Sequence, residues 1–253
     1  MSIVVAHTHT DAAPRWAPAG TAAIHPGVQV DNGNSICTAG FVFTDGKRVF
    51  ISIASHCTGA HLDADECPNV FRTGGTVKLA GASSPPRIAY SAWDVMLREH
   101  RLRGTPCTRA HDLALLEIEP RDRAKVNPSV PSWGGPTGVA SGVQPGDVLY
   151  TYGRSRYRFG IDQLSPQIGI NTANDGDGRG FRSVSLTPSI FGDSGSAILD
   201  ANGAALGTFL RLDLPRNHNT LLAPALAYMY EHTDLDRVKL ARGTIPFSGT
   251  PTG

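Results

Sequence analysis

Short runs of β-branched and aromatic residues, each cut off by a turn signal, recur along most of this chain. The first is a hairpin: residues 39–44, the turn Asp45-Gly46, then residues 47–53, two β-rich runs around a favoured two-residue turn. Further strand-like runs lie at 76–80, 87–92, 113–118, 147–152, 167–171, 181–185, 196–199 and 205–212. Turn sequences separate them, among them Thr73-Gly74-Gly75, Ser84-Pro85-Pro86, Gly134-Gly135-Pro136, 174–178 and 200–203. Many short strands at this spacing argue for a sandwich or barrel and against βαβ units. The 28 glycines and 18 prolines fit the same all-β class. Only residues 223–240 read as a long helix, with Leu226, Met229 and Tyr230 at helical spacing and Pro224 near the start.

Composition narrows the partners. Twenty-three basic residues against 22 acidic ones leave a net charge of +1, which gives no electrostatic reason to expect a nucleic acid or an anionic membrane. No apolar run approaches the roughly 20 residues that span a bilayer. A 40% hydrophobic content is enough to bury a sizeable core. Residues 1–23 read as an N-terminal extension or leader remnant, and residues 243–253 as a turn-rich flexible tail. The start, Met1 to Ala6, is too short for the hydrophobic region of a signal peptide. Either the chain is a processed form of an exported protein, which is the preferred reading, or it stays inside with free thiols.

The four cysteines, Cys37, Cys57, Cys67 and Cys107, include no C-x-x-C pair, so zinc-ribbon and thioredoxin spacings are absent. His56, Cys57, His61 and Cys67 are too irregularly spaced for a known zinc pattern. The even count fits two disulfides and an oxidising compartment, with three pairings open. The acidic turn at 174–178 lacks the ligand alternation and final glutamate of a calcium loop, and the cluster at 63–66 is a weak candidate for one. No metal and no cofactor is expected.

Three strings carry chemistry: Ser55-His56-Cys57 at the end of the first hairpin, His111-Asp112-Leu113 before a strand, and Phe191-Gly192-Asp193-Ser194-Gly195-Ser196 late in the chain. Acyl transfer by serine needs an alcohol nucleophile, a neutral imidazole to take its proton and a carboxylate to fix the imidazole tautomer. Each string alone has an ordinary structural reading, as a structural histidine, a turn cap or a tight turn. Their joint occurrence in the order His, Asp, Ser, inside a β-rich chain with paired cysteines, points to a serine hydrolase.

Over roughly residues 24–232 the chain resembles the chymotrypsin-fold serine proteases, and among them the small secreted proteases of actinobacteria. The likeness rests on the spacing from Ile24 to Cys37, the hairpin after Cys37, Ser55-His56-Cys57 and Gly192-Asp193-Ser194-Gly195. It implies two six-stranded antiparallel β-barrels with a C-terminal helix within residues 24–242. The first barrel would span about 24–125, the second about 140–222 and the helix about 223–240. It implies a Cys37–Cys57 disulfide, which leaves Cys67 and Cys107 for each other, a bridge not carried over from the family. It also implies Ser194 as nucleophile, His56 as general base and acid, Asp112 as its orienting carboxylate, and the Gly192 and Ser194 amides as oxyanion hole. Asp193 would support the loop. The substrate would be a peptide or protein, and the enzyme a secreted monomer.

The departures bear on the substrate pocket, assigned to Pro188, Ser189, Ile190, Phe191, Leu210, Arg211 and Leu212. Pro188 stands where trypsin-like relatives carry a pocket-base aspartate, so the expected preference is for small or apolar side chains. Leu210 and Leu212 replace a hydroxyl residue and a glycine of the family, and Ser196 replaces a second glycine. They motivate the alternative of a protease-fold binding protein with reduced or lost turnover. An α/β-hydrolase is disfavoured by residue order, Ser196 and the lack of βα alternation.

Overall fold

A computed structural model describes residues 14–59, 73–99 and 111–251. The expected Cys67–Cys107 bridge, His61, the acidic cluster at 63–66 and residues 1–13 lie outside the described residues.

The first half holds β1 (Gln29–Asp31), β2 (Ile36–Thr38), β3 (Val42–Thr44), β4 (Val49–Ile53), β5 (Lys78–Leu79), β6 (Arg87–Ser91), α1 (Ala92–Arg98) and β7 (Ala114–Ile118). Its strands form two sheets, ordered β2-β1-β5 and, with the C-terminal β14 (Lys239–Leu240), β14-β3-β4-β7-β6. All five residues of β4 are buried, and the reason is visible in its alternation. Val49, Ile51 and Ile53 join the cluster shared with Val30 and Leu79 of the three-stranded sheet and with Val77 beside it. Phe50 points to the other face, into a cluster with Trp93 of α1 and the later helix. Helix α1, which apolar spacing does not announce, starts at Ser91, whose hydroxyl accepts a hydrogen bond from the Asp94 amide.

The second half is a closed barrel, ordered β10-β13-β12-β11-β8-β9. Its strands are β8 (Val148–Tyr152), β9 (Pro166–Asn174), β10 (Gly180–Ser185), β11 (Ala197–Leu199), β12 (Ala205–Asp213) and β13 (Arg216–Leu221). Every neighbouring pair is antiparallel. The chain is therefore all-β with few helices. The turn at 174–178 connects β9 to β10, and its Asp175 accepts a 2.6 Å hydrogen bond from His218 of β13.

Two segments differ from the sequence reading. Helix α2 covers Leu222–His232 and stops short of residue 240. Thr233 is extended, and its hydroxyl caps the end by donating to the Met229 carbonyl. Beyond it Leu235 and Val238 turn into the core, and Lys239–Leu240 pairs with β3 instead of continuing the helix. Residues 243–251 lie against the protein: the Ser248 amide donates to the Trp133 carbonyl, and Phe247 packs edge-on to Tyr150. Their proline- and glycine-rich composition conceals these two anchors.

Candidate active site

Strand pairing brings His56 and Asp112 together. β4 and β7 are neighbours with Ile53 opposite Ala114, so residues just past the end of one strand meet those just before the other. Ser55–Thr58 form a 3-10 turn there, tied to β2 by a Cys37–Cys57 disulfide. His56 is 6% exposed and Asp112 1%. The His56 Nδ1 lies 2.7 Å from Asp112 Oδ2, and the His56 amide donates to Asp112 Oδ1 at 3.0 Å. An ionised carboxylate only accepts, so Nδ1 carries the hydrogen and Nε2 is the basic nitrogen. Ser55 adds a donation from its hydroxyl to the Leu113 carbonyl at 2.7 Å, and Trp93 packs beside the imidazole.

The Gly192-Asp193-Ser194-Gly195 loop is held from three sides. From β2, the Thr38 amide donates to the Ser194 carbonyl and the Thr38 hydroxyl to the Gly192 carbonyl, at 2.9 and 2.7 Å. From β12, the Phe209 carbonyl accepts from the Gly195 amide at 2.7 Å. From the turn at 155–158, the Ser155 amide donates to Asp193 and the Ser155 hydroxyl to the Phe191 carbonyl. Gly195 has φ +88° and lies so close to Thr38 O and Ala54 N that a Cβ would fall within 3 Å of both. Gly192 has φ +98° and packs on Ser155. The Asp193 amide is spent on Ile190 O. The Gly192 and Ser194 amides bond no protein acceptor among the described residues.

Asp193 itself is fully buried and forms an ion pair with Arg158, 5% exposed on its side chain. Arg158 also donates to the Leu164 and Pro188 carbonyls. This residue escapes sequence reading. Arg154, Arg156 and Arg158 alternate in one stretch, and nothing in the sequence tells which of them turns inward.

His56, Ser194 and Gly192 line one cleft of about 530 Å³, together with Asp31, Ile36 and Cys37 of the first half and Arg156, Tyr157 and Phe191 of the second. The Ser194 Oγ donates to the Leu210 carbonyl at 3.3 Å rather than to His56. Of the residues assigned to the substrate pocket, only Phe191 lines this cleft. Ser189 is buried against Gln167, Leu210 is buried behind Ser194, and Leu212 packs on the barrel core. Pro188 and Ile190 brace the Arg158–Asp193 pair, Pro188 through its carbonyl and Ile190 through its amide. Arg211 stands on β12 opposite His218. Cys37, His56 and Cys57 are close enough together to hold an ion, but the two sulfurs are bonded to each other and offer no thiolate.

No protein-family model matches the chain, and no curated protein sequence matches it. Solved structures do. Thermobifida fusca protease A is 19% identical with a TM-score of 0.54, over 87% of this chain and 99% of its own. A glutamic acid specific serine protease is 17% identical with a TM-score of 0.51, over 86% of this chain and all of its own (100%). A Glu endopeptidase is 13% identical with a TM-score of 0.50, over 83% and 89%. The chain has the fold of the chymotrypsin-type serine proteases.

Proposed function

We propose that the chain is a secreted serine endopeptidase working through an acyl-enzyme, with His56, Asp112 and Ser194 as its triad. The observation that carries this reading is a buried His56–Asp112 pair opening onto the same cleft as Ser194. In the reaction, Ser194 rotates from the Leu210 carbonyl to His56 Nε2 and attacks the peptide carbonyl. His56 takes the hydroxyl proton and Asp112 stabilises the resulting cation. The carbonyl oxygen gains negative charge and accepts from the Gly192 and Ser194 amides, donors of a kind worth about 3–4 kcal/mol each. His56 then protonates the leaving amine, and water repeats the sequence in reverse to free the acyl group.

On the acyl side, residues 188–190 and 210–212 include no carboxylate, so a cationic side chain finds no partner there. The expected preference is therefore for small or apolar side chains. The disulfide suits an oxidising, extracytoplasmic compartment. No helix among the described residues is long and apolar enough to cross a membrane.

A second reading, a binding protein of this fold without turnover, draws on the Ser194 hydroxyl being bonded to Leu210 instead of His56. Cleavage profiling on a diverse peptide library separates the two. The protease reading expects cuts after small or apolar residues that vanish in Ser194→Ala. Folded protein that cuts no more than this variant supports the binding reading.

A further inference from the structure

Arg156 lines the same cleft as Ser194, and its neighbours in sequence tie it to the loop that carries Ser194. Ser155 donates to Asp193 and to the Phe191 carbonyl, while Arg158 pairs with Asp193. The Ser155 hydroxyl also accepts from the Tyr157 amide at 3.1 Å. The backbone carrying Arg156 is thereby placed in fixed register with Ser194. The guanidinium lies over the Tyr157 ring, 5.1 Å from its centroid, and donates to the Tyr157 hydroxyl at 3.2 Å. It pairs with no carboxylate among the described residues. Asp31, which lines the same cleft, has one oxygen engaged by the Gly33 amide of its own hairpin.

Resting on the protease reading, we infer that Arg156 is a specificity residue that receives a carboxylate from the leaving-group side of the substrate. The side follows from the lining. The cleft is lined by His56, which delivers a proton to the leaving amine, and by none of 188–190 or 210–212, the residues assigned to the acyl side. A chain bound across Ser194 therefore places the residues after its scissile bond in the cleft that Arg156 lines. The carboxylate is that of an acidic side chain in the first two of these residues, or the C-terminus of a short leaving group.

The test uses peptides sharing one cleavable bond and differing in the two residues after it, with glutamate, glutamine or lysine there. Each is made as a long chain and as a short one ending in a free acid or an amide. For an exposed pair the expected gain in kcat/KM of acid over neutral is about three- to fivefold, shrinking in 0.5 M salt, an ionic strength between those where the Debye length is about 8 and 3 Å. A gain with glutamate in long chains identifies the side chain, and a gain confined to short free acids identifies the terminus. Arg156→Glu should reverse the order in favour of lysine, an outcome that misfolding does not mimic. Arg156→Gln should level the series, and titration with a fluorophosphonate counts intact active sites in each variant. Equal rates for all peptides, or a preference that survives Arg156→Glu, overturn the inference while the protease reading stands. Absence of both cleavage and fluorophosphonate uptake in the unmodified protein overturns both.

Discussion

Both oxygens of Asp112 are spent on His56, one on its ring and one on its backbone amide. Asp112 therefore sets where the imidazole lies as well as which nitrogen carries the proton. Asparagine in its place offers one acceptor and one donor, and the ring can satisfy the donor only in the wrong tautomer. Asp112→Asn is expected to lower kcat roughly 10⁴-fold, with KM little changed, in steady-state assays on a cleaved peptide. An equal loss in KM would point to damage in the cleft instead. At this scale the sequence was most readable, because His56, Asp112 and Ser194 stand in strings whose order has chemical meaning. Arg158 was not readable, because burial of one arginine among three alternating ones is decided by packing that the sequence does not display.

The loop at 192–195 owes its shape to its neighbours: β2, β12 and the turn at 155–158 each fix part of it. The Arg158–Asp193 pair is the most buried of these ties. Removing one partner leaves a charge without compensation, which costs about 3–5 kcal/mol. Arg158→Met should show that loss in urea unfolding, and its remaining folded fraction should react more slowly with a fluorophosphonate as the loop around Asp193 loses its bracing. Unchanged stability would remove Arg158 from the account. Legibility falls at this scale. The hairpin of β3 and β4 is plain because Asp45-Gly46 divides two apolar runs. Strand β13 is hidden because its buried residues, Asn217 to Thr220, are polar; Asn219 donates to Phe181 O and Ser183 Oγ, and His218 Nε2 bonds Asp175. The overlong helix reading had a related cause: Leu235 and Val238 continue the apolar spacing, but Thr233 has already ended the helix.

Across the whole molecule, one apolar cluster runs from Phe41, Phe43 and Phe50 of the first half to Leu199 and Ala205 of the second. Helix α2 and β14 return the chain to the first half, so the cleft lies between parts that share a core. His111 is embedded there, stacked on Tyr228 of α2 next to Asp112. Burial, and after it the Arg179 charge, push its pKa down to about 4. An unfolded histidine titrates near 6.5, so between these values the unfolded chain takes up the proton and the folded one does not. The contribution of a neutral His111 is complete above about pH 6.5 and is lost as pH falls toward 4, amounting to roughly 3 kcal/mol. His111→Phe should lose less stability than the parent between pH 7.5 and 4.5 in urea titrations; parallel losses would contradict this.

The central claim, that Ser194 is a nucleophile activated by His56, is tested most directly by fluorophosphonate labelling of the folded protein followed by peptide mapping. The account predicts one adduct, on Ser194, absent in Ser194→Ala and strongly slowed in His56→Ala. Folded protein that takes up no label, or a label that persists in Ser194→Ala, would contradict it.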